Sequence, residues 1–418
     1  MAPQEKRAEN FLNEMEKKNW REKILELSRY NLCPNCLGRQ FAMIGTGMTN
    51  RERGGLITEL AKQKFGIELK KTKECELCQD FFDQAIEKVV ANAREKLKEV
   101  EFKTFLVGSI VSDEMAKKEE EVWEKSGIQD VERLKTEINR EVGKRIERTT
   151  GEKFERKNPD IVVFVNAENY SARLQIRSLF VYGRYQKLVR GIPQTKWICS
   201  RCQGKGCTFC RGEGKLYKTS VQEIIEKPWL AATKSHKSKF HGSGREDIDA
   251  RNLAWRPFVI EIIKPTKRKV NFKKIETQVN KSKKVKIKNL KLVDKTVVRK
   301  IKTERIDKTY LAEVTFESKI DKSKLKNLKS LTVEPILQKT PLRVVHRRAD
   351  KFRKRWVKKI SWKVLASKKL QLKITGESGL YIKELITGDE GRTKPNVADT
   401  INNKVKKISL DVIKIHTK

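Results

Sequence analysis

All eight cysteines of this 418-residue chain fall into four Cys-x-x-Cys pairs, and this arrangement constrains the fold more than any other feature. Each pair forms a tight turn that presents two thiolates to one ion, and two such turns complete a tetrahedral zinc site. In a reducing compartment, this spacing indicates metal ligands rather than disulfides. The chain is therefore expected to fold around cysteine-bound metal.

The two later pairs, Cys199–Cys202 and Cys207–Cys210, are separated by only four residues. The pattern Cys-x-x-Cys-x-Gly-x-Gly occurs twice in succession here, and it resembles the zinc repeats of J-domain chaperones in a compressed form. Such Gly-rich turns need a cross-link to hold a fixed shape, so we predict zinc, with redox or vestigial cysteines as the alternative. A deaminase zinc site requires an upstream His-x-Glu, and the first histidine of the chain is His236.

The two earlier pairs, Cys33–Cys36 and Cys75–Cys78, are 38 residues apart, so their pairing depends on the fold. We predict a shared zinc site, with separate or interchain sites as alternatives. With four cysteine ligands, both sites would be closed and structural rather than catalytic. The predicted metal ligands are Cys33, Cys36, Cys75, Cys78, Cys199, Cys202, Cys207 and Cys210.

A formal net charge of +41, from 95 Lys and Arg against 54 Asp and Glu, indicates a polyanionic partner. A Lys-rich ribosome-associated or thermophilic protein is the alternative. Residues 264–308 contain 18 basic residues and four acidic ones, and residues 341–359 contain nine basic residues and one acidic one. Two such stretches suit the phosphates of a folded RNA. Because a ribonucleoprotein aromatic motif is absent from the sequence, we expect recognition by shape.

No stretch approaches the roughly 18 apolar residues of a membrane span, and the N-terminal residues lack the apolar core of a signal peptide. We therefore predict an intracellular, cytoplasmic protein without a membrane partner.

Periodicity predicts a mixed α/β region between about residues 50 and 190. Strands are predicted at residues 105–108 and 160–165, a strand or hairpin at 174–189, and a helix face from Ile128 to Ile146. We place the main boundary after the Gly-rich segment, which gives an RNA-binding region at 1–217 and a catalytic region at 218–418. Alternating runs in the second region predict an antiparallel sheet with one apolar and one basic face.

Residues 240–251 form the most unusual segment, because glycines are followed by alternating charges. This pattern predicts a tight turn leading into a strand edge or loop, with side chains in a cleft. A surface turn with local ion pairs is the alternative. A metal site formed by Glu246, Asp247 and Asp249 is also conceivable, but these residues lack any known loop spacing.

This segment resembles the Gly-Arg-x-Asp motif of pseudouridine synthases, and more closely the archaeal and eukaryotic tRNA pseudouridine synthase family Pus-ten. Further motifs in the same order extend the resemblance over nearly the whole chain: Cys33-x-x-Cys36-Leu37-Gly38-Arg39, Ile192-Pro193-Gln194-Thr195, Arg256-Pro257-Phe258-x-x-Glu261, Lys308-x-Tyr310-x-Ala312, Thr340-Pro341-Leu342-Arg343-Val344-Val345-His346-Arg347-Arg348, Gly379-x-Tyr381-Ile382-Lys383-Glu384 and Gly388-Asp389-x-Gly391-Arg392-Thr393-x-Pro395-Asn396. Ala254-Trp255 and Leu380 depart from the pattern beside motif residues, which puts loop geometry in doubt more than activity.

The resemblance implies an isomerase that makes pseudouridine in the TΨC arm of tRNA, at uridine 55 and often also at uridine 54, without an organic cofactor. It also implies an α+β protein. A zinc-bearing THUMP-type α/β domain at the N-terminus would precede a catalytic domain with a mixed, mainly antiparallel sheet and flanking helices.

The resemblance assigns Asp247 as the catalytic carboxylate, although the pattern alone does not exclude Asp249. The uridine would have to be flipped into a pocket before its atoms are reachable. Lys383, with Arg245 as a second contributor, would keep Asp247 ionised. Tyr310 would pack on the flipped base, with a core tyrosine as the alternative, and Tyr381 is a further candidate substrate contact.

Two other classes of protein remain as alternatives. One is a non-catalytic THUMP and zinc protein that binds or chaperones tRNA. The other is another THUMP-bearing RNA modifier, but the sequence has neither a dinucleotide-binding Gly-rich loop nor a Walker A motif. We expect tRNA as the partner, no obligatory protein partner, and a monomer.

Overall fold

The computed structural model describes residues 3–17, 20–69, 74–346 and 348–417. It divides into two compact units, the first formed by residues 1–177 with 264–268 and the second by residues 178–263 and 269–418. Each unit has its own principal sheet and its own buried hydrophobic residues.

In the described part of the first unit, seven helices contribute side chains to the hydrophobic core. They are α1 (Pro3–Lys17), α2 (Arg21–Leu27), α3 (Pro34–Gly38), α4 (Asn50–Phe65), α5 (Ile86–Leu97), α6 (Asp113–Ser126) and α7 (Leu134–Thr150). A 3-10 turn at Arg39–Phe41 and a π-helical turn at Phe81–Ala85 complete the helical part. Helix α4 begins at a capping box between Thr49 and Glu52, which satisfies backbone donors that the helix leaves unpaired.

The first unit contains a four-stranded sheet in the order β2-β1-β3-β4. Its strands are β1 (Thr104–Ile110), β2 (Lys153–Phe154), β3 (Ile161–Asn166) and β4 (Ala172–Ile176). Strands β1 and β3 match the two predicted strands. The predicted helix face starts too early at Ile128, because the backbone is extended at Arg133 and α7 begins only at Leu134.

An eight-stranded sheet organises the second unit. The order is β12-β13-β9-β15-β7-β5-β8, with β6 paired to β7. Its strands are β5 (Leu179–Lys187), β6 (Lys237–Gly242), β7 (Arg251–Ile263), β8 (Val285–Val293), β9 (Lys308–Phe316), β12 (Val357–Ala366), β13 (Lys369–Gly376) and β15 (Val405–Ile415). Only the short β15–β7 pairing is parallel, so the predicted mainly antiparallel sheet is confirmed.

Shorter elements flank this sheet. A small sheet contains β10 (Ile336–Gln338), β11 (Arg353–Arg355) and β14 (Thr393–Lys394). The helices are α8 (Val221–Thr233), α9 (Phe272–Asn280), α10 (Thr296–Thr303), α11 (Leu342–Val345), α12 (Ile382–Thr387) and α13 (Val397–Ile401), with a 3-10 helix at Lys322–Thr332. The two units together form the predicted α+β fold.

The division between the units lies earlier than the predicted boundary between residues 217 and 218. The segment predicted as one strand or hairpin at 174–189 is two strands in different sheets. Strand β4 belongs to the first unit, whereas β5 pairs with β7 and β8 of the second. The Gly-rich cysteine segment after β5 is therefore an insertion within the second unit and not a connector between units.

No helix in the described part of the chain has both the length and the apolar character that crossing a membrane requires.

Candidate active site and cysteine clusters

The segment between β6 and β7 places its charged side chains at one end of the large sheet. Gly244 has φ of +69°, a conformation that residues with a side chain rarely adopt. A Cβ atom at Gly242 would lie 2.9 Å from the backbone oxygen of Gly244, so the turn also requires glycine there. Backbone hydrogen bonds from Ser243 to Pro257 and from Ala250 to Asp247 fix both ends of the turn.

The five residues predicted to form the site line one cavity of about 550 Å³. Arg245 and Asp247 come from the turn before β7, Tyr310 comes from β9, and Tyr381 and Lys383 lie at the start of α12. These residues are far apart in the sequence, and the sheet brings them together. The cavity is open to solvent on one side and has both polar and apolar walls, which include Leu380 and Val412.

Asp247 is held by two cations. Its Oδ1 accepts a hydrogen bond from Nη1 of Arg343 at 2.8 Å, and its Oδ2 lies 3.6 Å from Nζ of Lys383. The Asp247 side chain is 31% exposed, so a molecule in the cavity can reach it. The carboxylate is therefore fixed in the cavity wall by a hydrogen bond on one oxygen and a nearby ammonium on the other.

Arg343 lies within one of the family motifs, but the sequence did not predict its contact with Asp247. Its Nε donates to Oε1 of the buried Glu384 at 2.6 Å, so the guanidinium bridges two carboxylates. Burial lowers the pKa of Arg343, but the hydrogen bond and charge of Glu384 outweigh this effect and the pKa is raised overall. The sequence places Arg343 and Glu384 in separate motifs 41 residues apart, which explains why the pair was missed.

Asp249 is the nearer partner of Lys383, whose Nζ lies 2.7 Å from both of its carboxylate oxygens. Burial alone would raise the pKa of Asp249, but the hydrogen bond from Lys383 outweighs this effect and the pKa is lowered. The Asp249 side chain is 64% exposed, and it is absent from the walls of the cavity that contains Tyr310. The two aspartates therefore differ in position, a difference that their spacing in the sequence did not reveal.

Tyr310 projects into the cavity from β9. Burial is the main cause that raises its pKa to about 12, and the charge of Asp247 acts in the same direction. Tyr310 is therefore an uncharged phenol at neutral pH. Lys308, two residues earlier on the same strand face, also lines the cavity, and burial lowers its pKa to about 8.

A buried polar network supports the turn from behind. Tyr185 donates to Oε2 of Glu246 at 2.8 Å, and Nε of Arg256 lies 3.1 Å from the same oxygen. Gln194 donates to the Tyr185 hydroxyl at 2.7 Å and to the Gly244 carbonyl at 2.9 Å. Glu246 therefore has a structural position that its neighbour Asp247 does not share, and the three acids do not form a metal-binding group.

The departures from the family pattern have local explanations. Lys288 of β8 lies over the Trp255 ring of β7, with Nζ 4.3 Å from the ring centroid. Leu380 is buried, lines the cavity and packs against Gly376. Arg347 of the basic motif lies outside the described residues.

Both cysteine groups are assembled as tetrads. Within each group the four sulfur atoms all lie within 4.8 Å of one another. The Sγ atoms of Cys33 and Cys78 are 3.6 Å apart, and those of Cys202 and Cys210 are 3.7 Å apart. Tetrahedral zinc with bonds of about 2.3 Å requires sulfur separations of about 3.8 Å. Each tetrad can therefore hold a metal ion of this size, and Cys33–Cys36 does share its site with Cys75–Cys78.

Backbone geometry suits sulfur atoms that carry negative charge. In the second tetrad, Gly206 donates to the Cys202 sulfur and Gly214 to the Cys210 sulfur, both at 3.2 Å. A Cβ atom at Gly214 would lie 2.4 Å from the Gly204 carbonyl oxygen, so the two turns approach each other too closely for a side chain.

Comparison with protein families assigns both units. The family model described as "Pus10, C-terminal" matches residues 180–416, which is more than half of the chain. The model described as "Pus10 THUMP domain, archaeal" matches residues 89–166, within the first unit.

Three archaeal relatives that carry the name tRNA pseudouridine synthase Pus10 cover nearly the whole chain. The Methanothrix thermoacetophila protein is 37% identical over 92% of this chain and 91% of its own length. The Methanocaldococcus jannaschii protein is 39% identical over 93% of each chain. The Methanothermobacter marburgensis protein is 40% identical over 94% of this chain and 97% of its own length.

Proposed function

Because the chain belongs to the Pus10 family of tRNA pseudouridine synthases, called Pus-ten above, we propose that it isomerises uridine to pseudouridine in the TΨC arm of tRNA. The target is uridine 55, and uridine 54 is a second target. The observation that carries this proposal is Asp247, which lies between two cations at the wall of the Tyr310 cavity.

The reaction conserves every atom of the nucleotide. The bond between C1′ and N1 breaks, a bond between C1′ and C5 forms, one proton leaves C5, and one proton is gained at N1. Neither oxidant nor reductant is needed, which is consistent with an enzyme that requires no organic cofactor. The Asp247 carboxylate acts as a nucleophile, or as the negative charge that stabilises the positive charge developing at C1′ while the uracil is detached.

The remaining cavity residues receive roles from their positions. The target uridine flips out of the folded arm, and Tyr310 packs against its ring as an uncharged aromatic group. Proton removal from C5 by Tyr310 would require the substrate to lower its phenol pKa from about 12. Lys383 and Arg343 hold the Asp247 carboxylate in place, and Arg245 and Tyr381 contact the RNA.

The cysteine tetrads are structural zinc sites in this proposal. Four thiolates leave no open coordination position, so zinc would hold the chain without taking part in the isomerisation. The sulfur separations and the N–H donors to sulfur support this assignment. The substrate, tRNA, is a cytoplasmic molecule, and the chain acts there as a monomer.

The test uses purified protein and an unmodified tRNA transcript in buffer without any cofactor. Pseudouridine is mapped by carbodiimide labelling and primer extension, and transcripts with cytidine at position 54 or 55 separate the two targets. We expect conversion by the native chain and none by Asp247→Asn, which should still bind tRNA and fold. Conversion by Asp247→Asn at the native rate would exclude the assigned carboxylate.

A further inference from the structure

A second cavity, of about 350 Å³, adjoins the first on the other side of Asp247. We propose that it binds a nucleobase next to the target uridine in the RNA strand, stacked on the ring of Trp197. This inference rests on the proposed function, because it requires that the first cavity receives the target base. It adds a binding subsite whose ligand is a nucleobase, independent of the chemistry at Asp247.

The two cavities share one wall, which contains Arg245, Asp247, Arg343 and Lys383. Tyr310 lines only the first cavity, and Trp197 lines only the second. Each side of the carboxylate therefore has its own aromatic ring. An RNA strand that crosses the shared wall passes three cationic side chains, which suits the phosphate between two consecutive nucleotides.

Trp197 is held in place by the segment around the second cysteine tetrad. Its carbonyl accepts a hydrogen bond from the Leu216 backbone at 2.9 Å, and Ile198 pairs with Lys215 as a β-bridge. The ring is half-buried and meets Tyr217 edge to face, with the ring centroids 5.5 Å apart. A ring fixed in this way offers a stacking face at little entropic cost.

The segment Pro193–Gln194, which also lines the second cavity, is preorganised too. The carbonyls of Pro193 and Gln194 accept hydrogen bonds from the first turn of α8, at 3.0 and 2.9 Å. The Gln194 side chain is tied to the Gly244 carbonyl on the turn that carries Asp247. The second cavity and the Asp247 turn are thus held by the same contacts, so a base bound in one would help to align its neighbour in the other.

An aromatic ring beside cations favours a nucleobase over other ligands. Every base has a flat face that stacks on indole, and stacking strengthens binding whichever base is present. An apolar peptide side chain would not match the ion pair of Asp249 and Lys383 that also lines this cavity. A free anion would use the cations but would leave Trp197 without a role.

The test couples a protein change to an RNA change. The substrate is a TΨC stem–loop RNA, intact or with an abasic nucleotide on the 5′ or the 3′ side of the target uridine. The variants are Trp197→Ala and Trp197→Phe. Trp255→Ala is the matched control, because Trp255 lines neither cavity. The readout is kcat/KM for pseudouridine formation, with zinc content and thermal unfolding measured for each chain.

We expect Trp197→Ala to lower kcat/KM on the intact RNA by roughly 5- to 100-fold, whereas Trp197→Phe and Trp255→Ala stay near the native value. One of the two abasic RNAs should lower kcat/KM of the native chain by a similar factor. With Trp197→Ala, that abasic nucleotide should cause no further loss, because the stacking partner is already missing.

The subsite would be overturned if both abasic RNAs lowered kcat/KM of Trp197→Ala by the same factor as in the native chain. It would also be overturned by a native chain that processes both abasic RNAs as well as the intact one, a result that needs no folded variant. A native chain that forms no pseudouridine in the intact RNA would instead refute the proposed function, so the two failures are distinguishable.

Discussion

Around Asp247, three carboxylates share two side-chain cations. Arg343 joins Asp247 to Glu384, and Lys383 lies between Asp247 and Asp249. Replacing each carboxylate in turn and measuring the rate therefore tests which one acts on the substrate. Asp247 lines both cavities, whereas Asp249 is largely exposed and Glu384 is buried.

Asp249→Asn should keep most of the activity. The change frees Lys383 to move toward Asp247, and Arg343 stays in place, so the catalytic carboxylate keeps both of its cationic partners. We expect kcat within about 10-fold of the native value, against a loss of at least about 10³-fold for Asp247→Asn. Single-turnover assays on one transcript measure both rates. Equal losses in the two variants would mean that the acids act as one unit.

Lys187 is a positioning residue that the sequence did not single out. It is fully buried at the end of β5, and its Nζ donates to the carbonyls of Ile192, Asp247 and Ile248 at 3.0, 2.9 and 3.2 Å. Burial lowers the pKa of Lys187, and the charges of nearby Glu246 and Asp247 only partly offset this effect. A lysine in this setting holds the backbone of the Asp247 turn in register with the cavity.

Lys187→Met should therefore lower kcat without weakening RNA binding. A shift of about 1 Å at a reacting group can cost about 10²-fold in rate, and we expect a loss of that order with the tRNA Kd within about 2-fold. Lys286→Met, at an exposed lysine of the neighbouring strand β8, is the control and should have no effect. A parallel rise in Kd would assign Lys187 to RNA binding instead.

At the scale of elements, the second cysteine tetrad lies between β5 and α8 and carries Trp197 at its edge. Cys207→Ser should remove the zinc ion proposed for this tetrad and lower kcat/KM, because Trp197 and Leu216 lose their fixed geometry. Metal analysis, with the tRNA assay beside it, checks both outcomes. If the Cys207→Ser chain loses zinc but keeps native activity, this tetrad does not support the geometry of the site.

Asp411 stabilises the β15–β7 contact. Its carboxylate pairs with Arg190 and Arg251, each at 2.5 Å, and the side chain is only 9% exposed. Burial alone would raise the pKa of Asp411, but the two arginines outweigh this effect and the pKa is lowered. A lowered pKa in the folded state means that the stabilisation is complete above the unfolded value of about 3.9 and is lost as pH falls through the folded value.

Asp411→Asn should consequently lower the free energy of unfolding by about 1.5–3 kcal/mol at pH 7. The difference between the two chains should persist at pH 5 and shrink below about pH 4, as the native carboxyl gains a proton. Urea unfolding at each pH measures this difference, and metal loss in acid affects both chains alike. A difference that does not change with pH would point to packing instead of charge.

Local patterns predicted elements whose signal is local. The strands β1 and β3 have short apolar runs, and the two cysteine pairs of the second tetrad are adjacent, so both were accessible from spacing. The start of α7 could not be predicted, because apolar periodicity continues through Arg133, where the backbone is extended. The sheet that β5 joins could not be predicted either, because periodicity within a strand does not identify its partners. Contacts between distant segments, such as Arg343 with Asp247, depend on the fold.

At the scale of the whole molecule, a net charge of +41 makes binding of tRNA dependent on salt. Each neutralised phosphate releases counterions, so affinity falls steeply as salt rises. If six or more phosphates are contacted, Kd should increase about 10³-fold or more between 50 and 200 mM salt. Filter binding of the inactive Asp247→Asn chain to tRNA measures this dependence without turnover.

Helix α10 offers a local test of that charge, because it presents Arg299, Lys300 and Lys302 to solvent. The double change Lys300→Gln and Lys302→Gln should reduce the slope of log Kd against log salt by about one to two and leave kcat at saturating tRNA unchanged. Replacing both lysines by arginine keeps the charge and should restore the native slope. If glutamine and arginine variants have the same slope, phosphates do not contact α10, and the salt dependence must arise from other basic segments of the chain.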